Sequence, residues 1–276
     1  MTEIWNLYKN GQWEVPFLTF SIYLFIAASL FLYLVIVASR NTKIKKECLS
    51  KEYSFIIDKV MAAVIFEDAL FAEVKKDKNF LVLFDTAFFR EVLTESIINL
   101  HKNYEGIYAQ KLEEFYKDSG LIKDSFKKLK SLKWEVKCKG ITELAEFNIK
   151  EAFDQIIVYS KARKKTLKIV ALNAAIKLEG TESVKYLVEH SDPIDDWMQL
   201  NIIGAFKKHD IGDTEGIEHL LESQNTTVIA LGLKLIKELK LTQKLPYVAH
   251  LAEHTSNTVI KYKAQSLFAD INGIIE

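Results

Sequence analysis

An apolar run near the N-terminus constrains this chain more than any other feature. The stretch FLTFSIYLFIAASLFLYLVIVASR begins at Phe17 and carries no charge before Arg40. As an α-helix the run is about 33 Å long, which is close to the hydrocarbon thickness of a bilayer. No period divides it into apolar and polar faces, and this suits lipid better than a protein surface. Because a helix satisfies its own backbone hydrogen bonds, we predict a transmembrane helix over residues 17–39.

Two alternatives to a retained membrane anchor are a cleaved signal peptide and a buried helix of a soluble protein. The residues before the run include Glu3, Lys9 and Glu14, so they do not form a positively charged start. The apolar segment is also longer than a signal core, and it shows no convincing small-x-small cleavage site. We therefore favour the retained anchor.

Lysine and arginine flank the run unequally. Lys9 precedes it, whereas the basic residues that follow it are Arg40, Lys43, Lys45, Lys46 and Lys51. By the positive-inside rule the C-terminal side lies in the cytoplasm, and residues 1–16 form a short extracytoplasmic N-terminus. This predicts a single-pass protein of the cell membrane, and the Lys- and Ile-rich composition suggests a bacterial inner membrane.

The composition favours an all-α chain. Ten glycines and three prolines among 276 residues leave little material for long irregular loops. Lys plus Arg and Asp plus Glu each number 37, so the net charge indicates no polyanionic partner. The two cysteines, Cys48 and Cys138, match no metal or disulfide spacing and are expected to be reduced thiols.

The C-terminal half contains a pattern that recurs roughly every 30 residues, within the range of helical repeats. In each copy an aliphatic residue is followed by a small residue four positions later and by further positions at offsets seven and eleven. The copies begin at Val136, Leu167, Leu200, Val228 and Ile260, and their small residues are Gly140, Ala171, Gly204, Gly232 and Ala264. These offsets share one helix face, and a small residue lets a neighbouring helix approach closely. Glu143 and Lys207 interrupt the pattern, which predicts looser packing in those two copies.

Shorter apolar segments lie beside these copies and predict a second helix in each unit. They are GLIKDSFKKLKS, EAFDQIIVYS, ESVKYLVEH, TEGIEHLLES and QKLPYVAHLAEH. Thr181 and Thr214 are suitable helix N-caps, and Gly180 is a suitable helix stop. The unit is therefore a helix pair that repeats about five times.

The helix pairs and their small residues resemble the HEAT-repeat family, the armadillo-like α-solenoids. The resemblance covers Gly120 to Ile271, although polar Asn225 and Asn257 replace the usual Asp…Val-Arg start of the second helix. The resemblance implies a right-handed α-solenoid of HEAT-like helix pairs over residues 120–276. It also implies a concave surface that binds another protein.

Residues 40–119 are expected to form a juxtamembrane and helical cap region that covers the first apolar face of the stack. Apolar spacing predicts three or more helices there, with a break near Gly106 and a stop at Gly120. The segments VMAAVIF and NFLVLF are β-capable, so a short strand pair is the local alternative.

No motif in the sequence indicates catalysis. It contains no glycine-rich phosphate loop, no GxSxG elbow and no kinase signature. His250 and His254 lack the glutamate of a HEXXH metalloprotease motif, and the group His209, Asp210 and Asp213 is only a weak cation candidate. We therefore predict no catalytic, metal-binding or cofactor-binding residue, no cofactor, no small-molecule substrate and no enzymatic activity.

Basic side chains cluster at one predicted helix–helix turn. The candidate contact residues there are Lys161, Arg163, Lys164 and Lys165. A solvated charged face is the default interpretation. The alternatives are an acidic protein partner and anionic lipid, to which each basic side chain contributes about 1 kcal/mol. No nucleic-acid partner is expected, because the charge is balanced and no RNA- or DNA-binding module is present.

These patterns together predict a membrane-anchored, non-enzymatic scaffold or adaptor. Residues 17–39 would hold it in the membrane, and the cytoplasmic helix pairs would bind a protein partner whose local concentration rises at the bilayer. One alternative is an enzyme, or a regulatory subunit of a membrane enzyme, that acts through residues 50–119. The other is a sensor of anionic lipid surfaces.

Overall fold

The computed structural model describes residues 14–208 and 214–275, and side chains up to residue 270. All regular secondary structure in these residues is helical, which confirms the all-α prediction. The strand-pair alternative is wrong, because VMAAVIF and NFLVLF both lie in helices. Most of the predicted extracytoplasmic segment, residues 1–16, and the group His209, Asp210 and Asp213 lie outside the described residues.

The α-helices are α1 (Glu14–Phe66), α2 (Phe71–Val74), α3 (Lys78–Phe84), α4 (Ala87–His101), α5 (Ile107–Asp118), α6 (Leu121–Leu129), α7 (Trp134–Glu146), α8 (Phe153–Ile157), α9 (Lys165–Glu179), α10 (Val184–Val188), α11 (Asp196–Lys208), α12 (Thr226–Glu238), α13 (Leu245–His254) and α14 (Thr258–Ile275). Short 3₁₀ segments are Lys150–Ala152, Val158–Lys161, Gly180–Ser183, Ile217–Glu222 and Thr242–Lys244. The chain divides into two compact units, Met1–Ala62 with Asp77–Leu93, and Ala63–Lys76 with Thr94–Glu276.

The first unit contains α1 up to Ala62; the whole helix has 53 residues and is about 80 Å long. The aromatic core of this unit joins α1 to α3 and the start of α4. The ring of Tyr53 lies 5.1 Å from that of Phe89, and the ring of Phe80 lies 5.6 Å from it. The side chains of Ile57 and Met61 are buried in the same unit. Asp77 caps α3 by accepting a hydrogen bond from a backbone N–H of the first turn.

In the second unit, a short or irregular helical segment precedes a regular helix five times from Leu121 onward. The regular members, called here the long helices, are α7, α9, α11, α12 and α14, with 13 to 18 residues each. α9 packs against α7 and α11, and α12 packs against α11 and α14. Gly120 and Gly180 have positive φ angles of 78° and 55°, which confirms both predicted helix stops.

Two of the predicted close approaches between helices are present. A Cβ on Gly140 would lie only 2.8 Å from the backbone nitrogen of Leu129, and one on Gly232 would lie 2.8 Å from the Cβ of Leu220. Gly204 is different, because no neighbouring atom of the described residues, apart from its own helix backbone, lies within 4 Å of the position that its Cβ would occupy. The predicted close approach is therefore wrong at Gly204.

The physical reason is that the third repeat copy begins two residues earlier than predicted. Each of the other copies begins at the third residue of its long helix, and in α11 that position is Met198 rather than Leu200. The buried residues at the corrected offsets are Met198, Ile202 and Ala205. Leu200, Gly204 and Lys207 are exposed.

The prediction of loose packing at Glu143 is also wrong. The Glu143 side chain is buried, and its carboxylate accepts hydrogen bonds from the hydroxyl of Ser125 and the ammonium of Lys128. The hydroxyl of Tyr116 donates to the Ser125 oxygen at 2.7 Å. Because these partners satisfy the buried carboxylate, a polar residue occupies a core position without a large desolvation penalty.

The predicted helix starts have mixed outcomes. Thr181 lies inside a 3₁₀ segment and Thr214 lies before Gly216, so neither is an N-cap. Asn225 and Asn257 do cap their helices, with Oδ1 accepting from the backbone N–H of the second helical residue at 3.0 Å in both cases. Asn225 also donates to the carbonyl of His190, which fastens the preceding loop to the start of α12.

Candidate membrane anchor and docking surface

The N-terminal half of α1 is long and apolar enough to cross a membrane. None of its most apolar window is buried in the structure, and Phe25, for example, is 74% exposed. Thr19 and Ser21 donate their hydroxyls to backbone carbonyls one turn earlier, both at 2.8 Å, so these two polar groups are satisfied within the helix. An apolar surface of this extent requires a nonaqueous environment or a partner.

Beyond the apolar segment, α1 continues without a break. The part from Arg40 to Phe66 adds about 40 Å of helix. Its exposed side chains include charged residues such as Lys43 and Glu47, which form an ion pair of 3.9 Å one turn apart. α1 is therefore one helix with an apolar half and a water-compatible half.

Ion pairs connect neighbouring long helices or the residues that precede them. They are Glu146–Lys177, Lys165–Asp195, Asp196–Lys234, Lys207–Glu238 and Lys237–Asp270. Most of these pairs are exposed, and such pairs contribute little to stability, typically about 0–1 kcal/mol each. They pair charged side chains on the exposed side of these helices with groups of opposite charge.

Uncovered apolar side chains lie on that same side. Trp197 and Leu200 on α11 are 60% and 61% exposed. With Gly204 they line a groove of about 470 Å³ against Asn173 of α9. The open space at Gly204 thus belongs to this groove. The side-chain oxygen of Asn173 is buried and has no hydrogen-bond partner among the described residues.

Two further grooves run along α12 and α14. One has a volume of about 460 Å³ and the other about 220 Å³, and Ala230 and Lys263 line both of them. Tyr262, which is 73% exposed, borders the smaller groove. We call the exposed side of α9, α11, α12 and α14 the docking face.

The structure places the four predicted contact residues between the end of the 3₁₀ segment Val158–Lys161 and the first residue of α9, and all four are exposed. The ammonium of Lys164 lies 4.7 Å from the centre of the Trp134 ring, and Lys165 forms an ion pair with Asp195. That ion pair holds the pKa of the Asp195 carboxyl below its usual value. Lys161 and Arg163 are the members of the cluster for which no such contact is seen among the described residues. The cluster therefore offers a partner less positive charge than its sequence suggests.

A half-buried charged network links α4, α5, α7 and α9. The Nε2 atom of His101 lies 3.0 Å from a carboxylate oxygen of Glu113, and Lys177 lies 2.9 Å from one of Glu146. A hydrogen bond to Glu146 raises the pKa of His101, although burial opposes this. Burial raises the pKa of Glu146, but hydrogen bonds from His101 and Lys177 outweigh it and lower the pKa to about 2.

A separate cavity of about 330 Å³ lies among residues 64–118. Lys111 on its wall forms an ion pair with Asp68 and donates to the carbonyl of Ile65 at 2.8 Å. This cavity is a candidate place for the alternative function through residues 50–119. Glu114 and Asp118 also line the cavity, whereas no histidine or cysteine does.

No group of three or more His, Cys, Asp or Glu residues in the described ranges is arranged to hold a metal ion. His250 and His254 are exposed and stack on each other with ring centres 4.2 Å apart. The chain has no significant match to a protein-family model, to a curated protein or to a solved structure.

Sequence reasoning missed Trp197, Leu200 and Gln199 as surface or groove residues. LNIIGAF supports two apolar registers on a helix, and the register that begins at Leu200 predicts that Leu200 is buried. A signal was available, since the register that begins at Leu200 places Lys207 in the core, whereas the register that begins at Met198 does not.

Proposed function

We propose that this chain is a membrane-anchored, non-enzymatic scaffold of the HEAT-repeat type, whose cytoplasmic helix pairs bind a protein partner at the inner membrane face. The observation that carries the proposal is the uncovered apolar half of α1, joined by an unbroken helix to a charged half. A bilayer supplies the nonaqueous environment that this half requires.

The solenoid part of the proposal is supported by the order of the helix contacts. Each long helix contacts the next long helix along the chain, as repeat stacking requires. The repeat positions also fall at the same place in every long helix once the third copy starts at Met198. In the proposal these helices form a right-handed stack, and the docking face lies on its concave side.

The partner site in the proposal is the docking face. Tyrosine and tryptophan dominate the binding energy of many protein interfaces, and Trp197 and Tyr262 are both exposed there. The internal ion pairs on the same face leave apolar contact as the main available interaction. Anchoring keeps the bound partner near the bilayer and raises its effective concentration there.

Orientation is tested by cysteine labelling in intact cells. In a Cys48→Ser, Cys138→Ser background, Asn6→Cys should react with a membrane-impermeant maleimide from outside, and Ser131→Cys should react only after lysis. The proposal fails if Ser131→Cys is labelled in intact cells, or if the protein is released from membranes by alkaline carbonate.

Partner binding is tested by a photo-crosslinking amino acid placed at single sites of the full chain in its native membrane. We expect discrete crosslinked products from Trp197, Leu200 and Tyr262, but not from Val158, which is similarly exposed and lies in a 3₁₀ segment outside the docking face. Equal crosslinking from Val158, or none from the three docking-face sites, contradicts the proposal.

The lipid-sensor alternative depends on Lys161 and Arg163. A soluble fragment is not needed to test it, because the full chain can be reconstituted in nanodiscs with and without anionic lipid. If the alternative holds, anionic lipid should protect Lys161 from acetylation by a water-soluble reagent, relative to Lys261 on α14. Equal protection of the two lysines contradicts the lipid-sensor alternative.

A further inference from the structure

The turn between α6 and α7 presents an uncovered leucine between two lysines. α6 ends at Leu129 and α7 begins at Trp134. The turn that joins them consists of Lys130, Ser131, Leu132 and Lys133. The side chain of Leu132 is fully exposed, and the lysines on both sides of it are exposed as well. Because no described residue covers Leu132, the fold gains no stability from its burial.

Two contacts bring the basic segment before α9 to this turn, within the second unit. The ammonium of Lys164 lies 4.7 Å from the centre of the Trp134 ring. The hydroxyl of Tyr159 donates to the carbonyl of Leu129 at 3.0 Å and accepts from the ammonium of Lys137 at 3.0 Å. The two segments therefore form one surface around Leu132, which we call the basic turn surface. Its cations are Lys130, Lys133, Lys137, Lys161, Arg163 and Lys164.

The positive charge of the basic turn surface is not compensated within the protein. None of its six cations forms an ion pair with an acidic side chain among the described residues, and the contacts of Lys137 and Lys164 are with neutral aromatic rings. Neighbouring lysines do form such pairs; they are Lys127, Lys128, Lys139 and Lys165. Residues 130–137 and 158–164 contain a single acidic residue, the exposed Glu135, against the six cations.

An anionic bilayer surface matches this combination of groups. Uncompensated lysine and arginine side chains are attracted to the phosphate groups of anionic lipids. A projecting leucine enters the boundary of the acyl chains without a preformed pocket, because the bilayer is fluid. The half-buried Trp134 has the type of side chain that is enriched at headgroup level. A bilayer is also close at hand, since the apolar half of α1 requires a nonaqueous environment.

We propose that the basic turn surface is a second membrane contact, in which Leu132 enters the acyl boundary of an anionic bilayer and the six cations lie at its phosphate groups. The inference goes beyond the scaffold proposal, because partner binding by the docking face does not require this contact. It also differs from the lipid-sensor alternative. The contact is centred on Leu132 and combines two turns, and it holds the chain at lipid without requiring a regulated response.

The test measures quenching of a fluorophore at the turn by lipid. In the Cys48→Ser, Cys138→Ser background, the full chain with Leu132→Cys is labelled with a nitrobenzoxadiazole and reconstituted in nanodiscs whose acyl chains carry a nitroxide quencher. Phosphatidylglycerol in the nanodiscs should lower the emission about twofold relative to phosphatidylcholine alone. The matched control is Leu200→Cys, at a leucine that is 61% exposed on the docking face, and its emission should not change. No quenching at the turn, or equal quenching at the control site, overturns the inference.

Charge reversal separates a specific contact from an effect of net charge. Lys130→Glu combined with Lys133→Glu in the labelled chain should abolish most of the quenching by anionic nanodiscs, because the attraction at the turn is replaced by repulsion. Lys261→Glu combined with Lys263→Glu makes the same change of net charge at exposed positions of α14, and the quenching should be retained. Equal effects of the two pairs, or no effect of either, overturn the inference.

An acidic protein partner at the same surface would give a different result. A photo-crosslinking amino acid at Leu132 of the full chain in its native membrane should give no discrete protein product, and a discrete product overturns the inference. Crosslinking from Trp197, Leu200 and Tyr262 in the same membranes reports on the scaffold proposal separately. If those products form but the turn is not quenched by anionic lipid, this inference alone is wrong. If they are absent, the scaffold proposal itself fails.

Discussion

α11 and α12 are neighbours of equal length that differ in what their outer sides present. In α12 the run from Val228 to Leu233 is buried, because α11, α14 and the segment Ile217–Glu222 all pack against this helix. In α11 the inner side is equally well buried, yet Trp197 and Leu200 remain uncovered on the outer side. The contrast separates two uses of an apolar residue: one stabilises the fold, and the other is available to a partner.

The largest effect should come from truncating the two apolar sides of α11 separately. Ile202→Ala should lower the free energy of unfolding by about 2–5 kcal/mol, because Ile202 is fully buried and the change leaves a cavity. Leu200→Ala should cost about 0.5 kcal/mol or less. Denaturant unfolding of the full chain in detergent measures both, and equal losses would mean that Leu200 is a core residue after all.

Glycine substitutions should give effects of opposite sign on the two helices. Gly232→Ala should destabilise by about 1–3 kcal/mol, since the added methyl group meets Leu220. Gly204→Ala should stabilise by about 0.5–1 kcal/mol, because Gly204 lies in an open helix interior where alanine has the higher helix propensity. Thermal unfolding compares them, and destabilisation by Gly204→Ala would argue against an open groove at that position.

Removal of the exposed tryptophan should affect binding without affecting stability. We expect Trp197→Ala to reduce the crosslinking yield from Tyr262 about tenfold, which corresponds to about 1.4 kcal/mol. The unfolding midpoint should be unchanged, because the side chain is 60% exposed. Val158→Ala serves as the matched control, and an equal loss of crosslinking in that variant would count against a specific role for Trp197.

The smallest effect should appear in the pH dependence of folding stability. It should come from the half-buried network around His101 rather than from the exposed ion pairs of α11 and α12. The pKa of His101 is raised above 6.5, so its protonation stabilises the fold at low pH, and this contribution is lost as pH rises through the raised value. The pKa of Glu146 is lowered from 4.5 to about 2, so its contribution is present above 4.5 and is lost as pH falls toward 2.

Stability should therefore be greatest between about pH 4.5 and 6.5 as far as these two groups are concerned. His101→Gln should flatten the decrease above pH 6.5, and it should also weaken the pH dependence on the acid side, because the hydrogen bond from His101 helps to lower the pKa of Glu146. Unfolding curves at several pH values check this, and an unchanged decrease above pH 6.5 would show that another group is responsible.

Much of the fold follows from local sequence patterns. The helical class follows from the scarcity of glycine and proline, and the helix stops at Gly120 and Gly180 follow from the conformational freedom of glycine. The uninterrupted course of α1 is compatible with the sequence, because no glycine or proline occurs between Pro16 and Gly106. That interval does contain the separate helices α2 to α4, so the absence of breakers alone does not locate the end of α1.

The candidate site could be predicted less well from the sequence, for a physical reason. A helical periodicity identifies a face but not which of two apolar faces is covered, and in α11 both faces carry apolar residues. The burial of Glu143 depends on Ser125 and Lys128 from another helix, and the buried amide of Gln199 donates to carbonyls of Ile194 and Thr227. Such tertiary contacts leave no signature in a single helix.

The unbroken course of α1 has a mechanical consequence. Each residue inserted after Arg40 would turn the following part of this helix by about 100° relative to its apolar half and lengthen the helix by about 1.5 Å. Deletions would turn it in the opposite direction and shorten it. The number of residues in this segment therefore sets both the rotation of the helix about its axis and its length. A series of one- to seven-residue insertions would therefore produce a periodic response, rather than a gradual one, in any property that depends on direction.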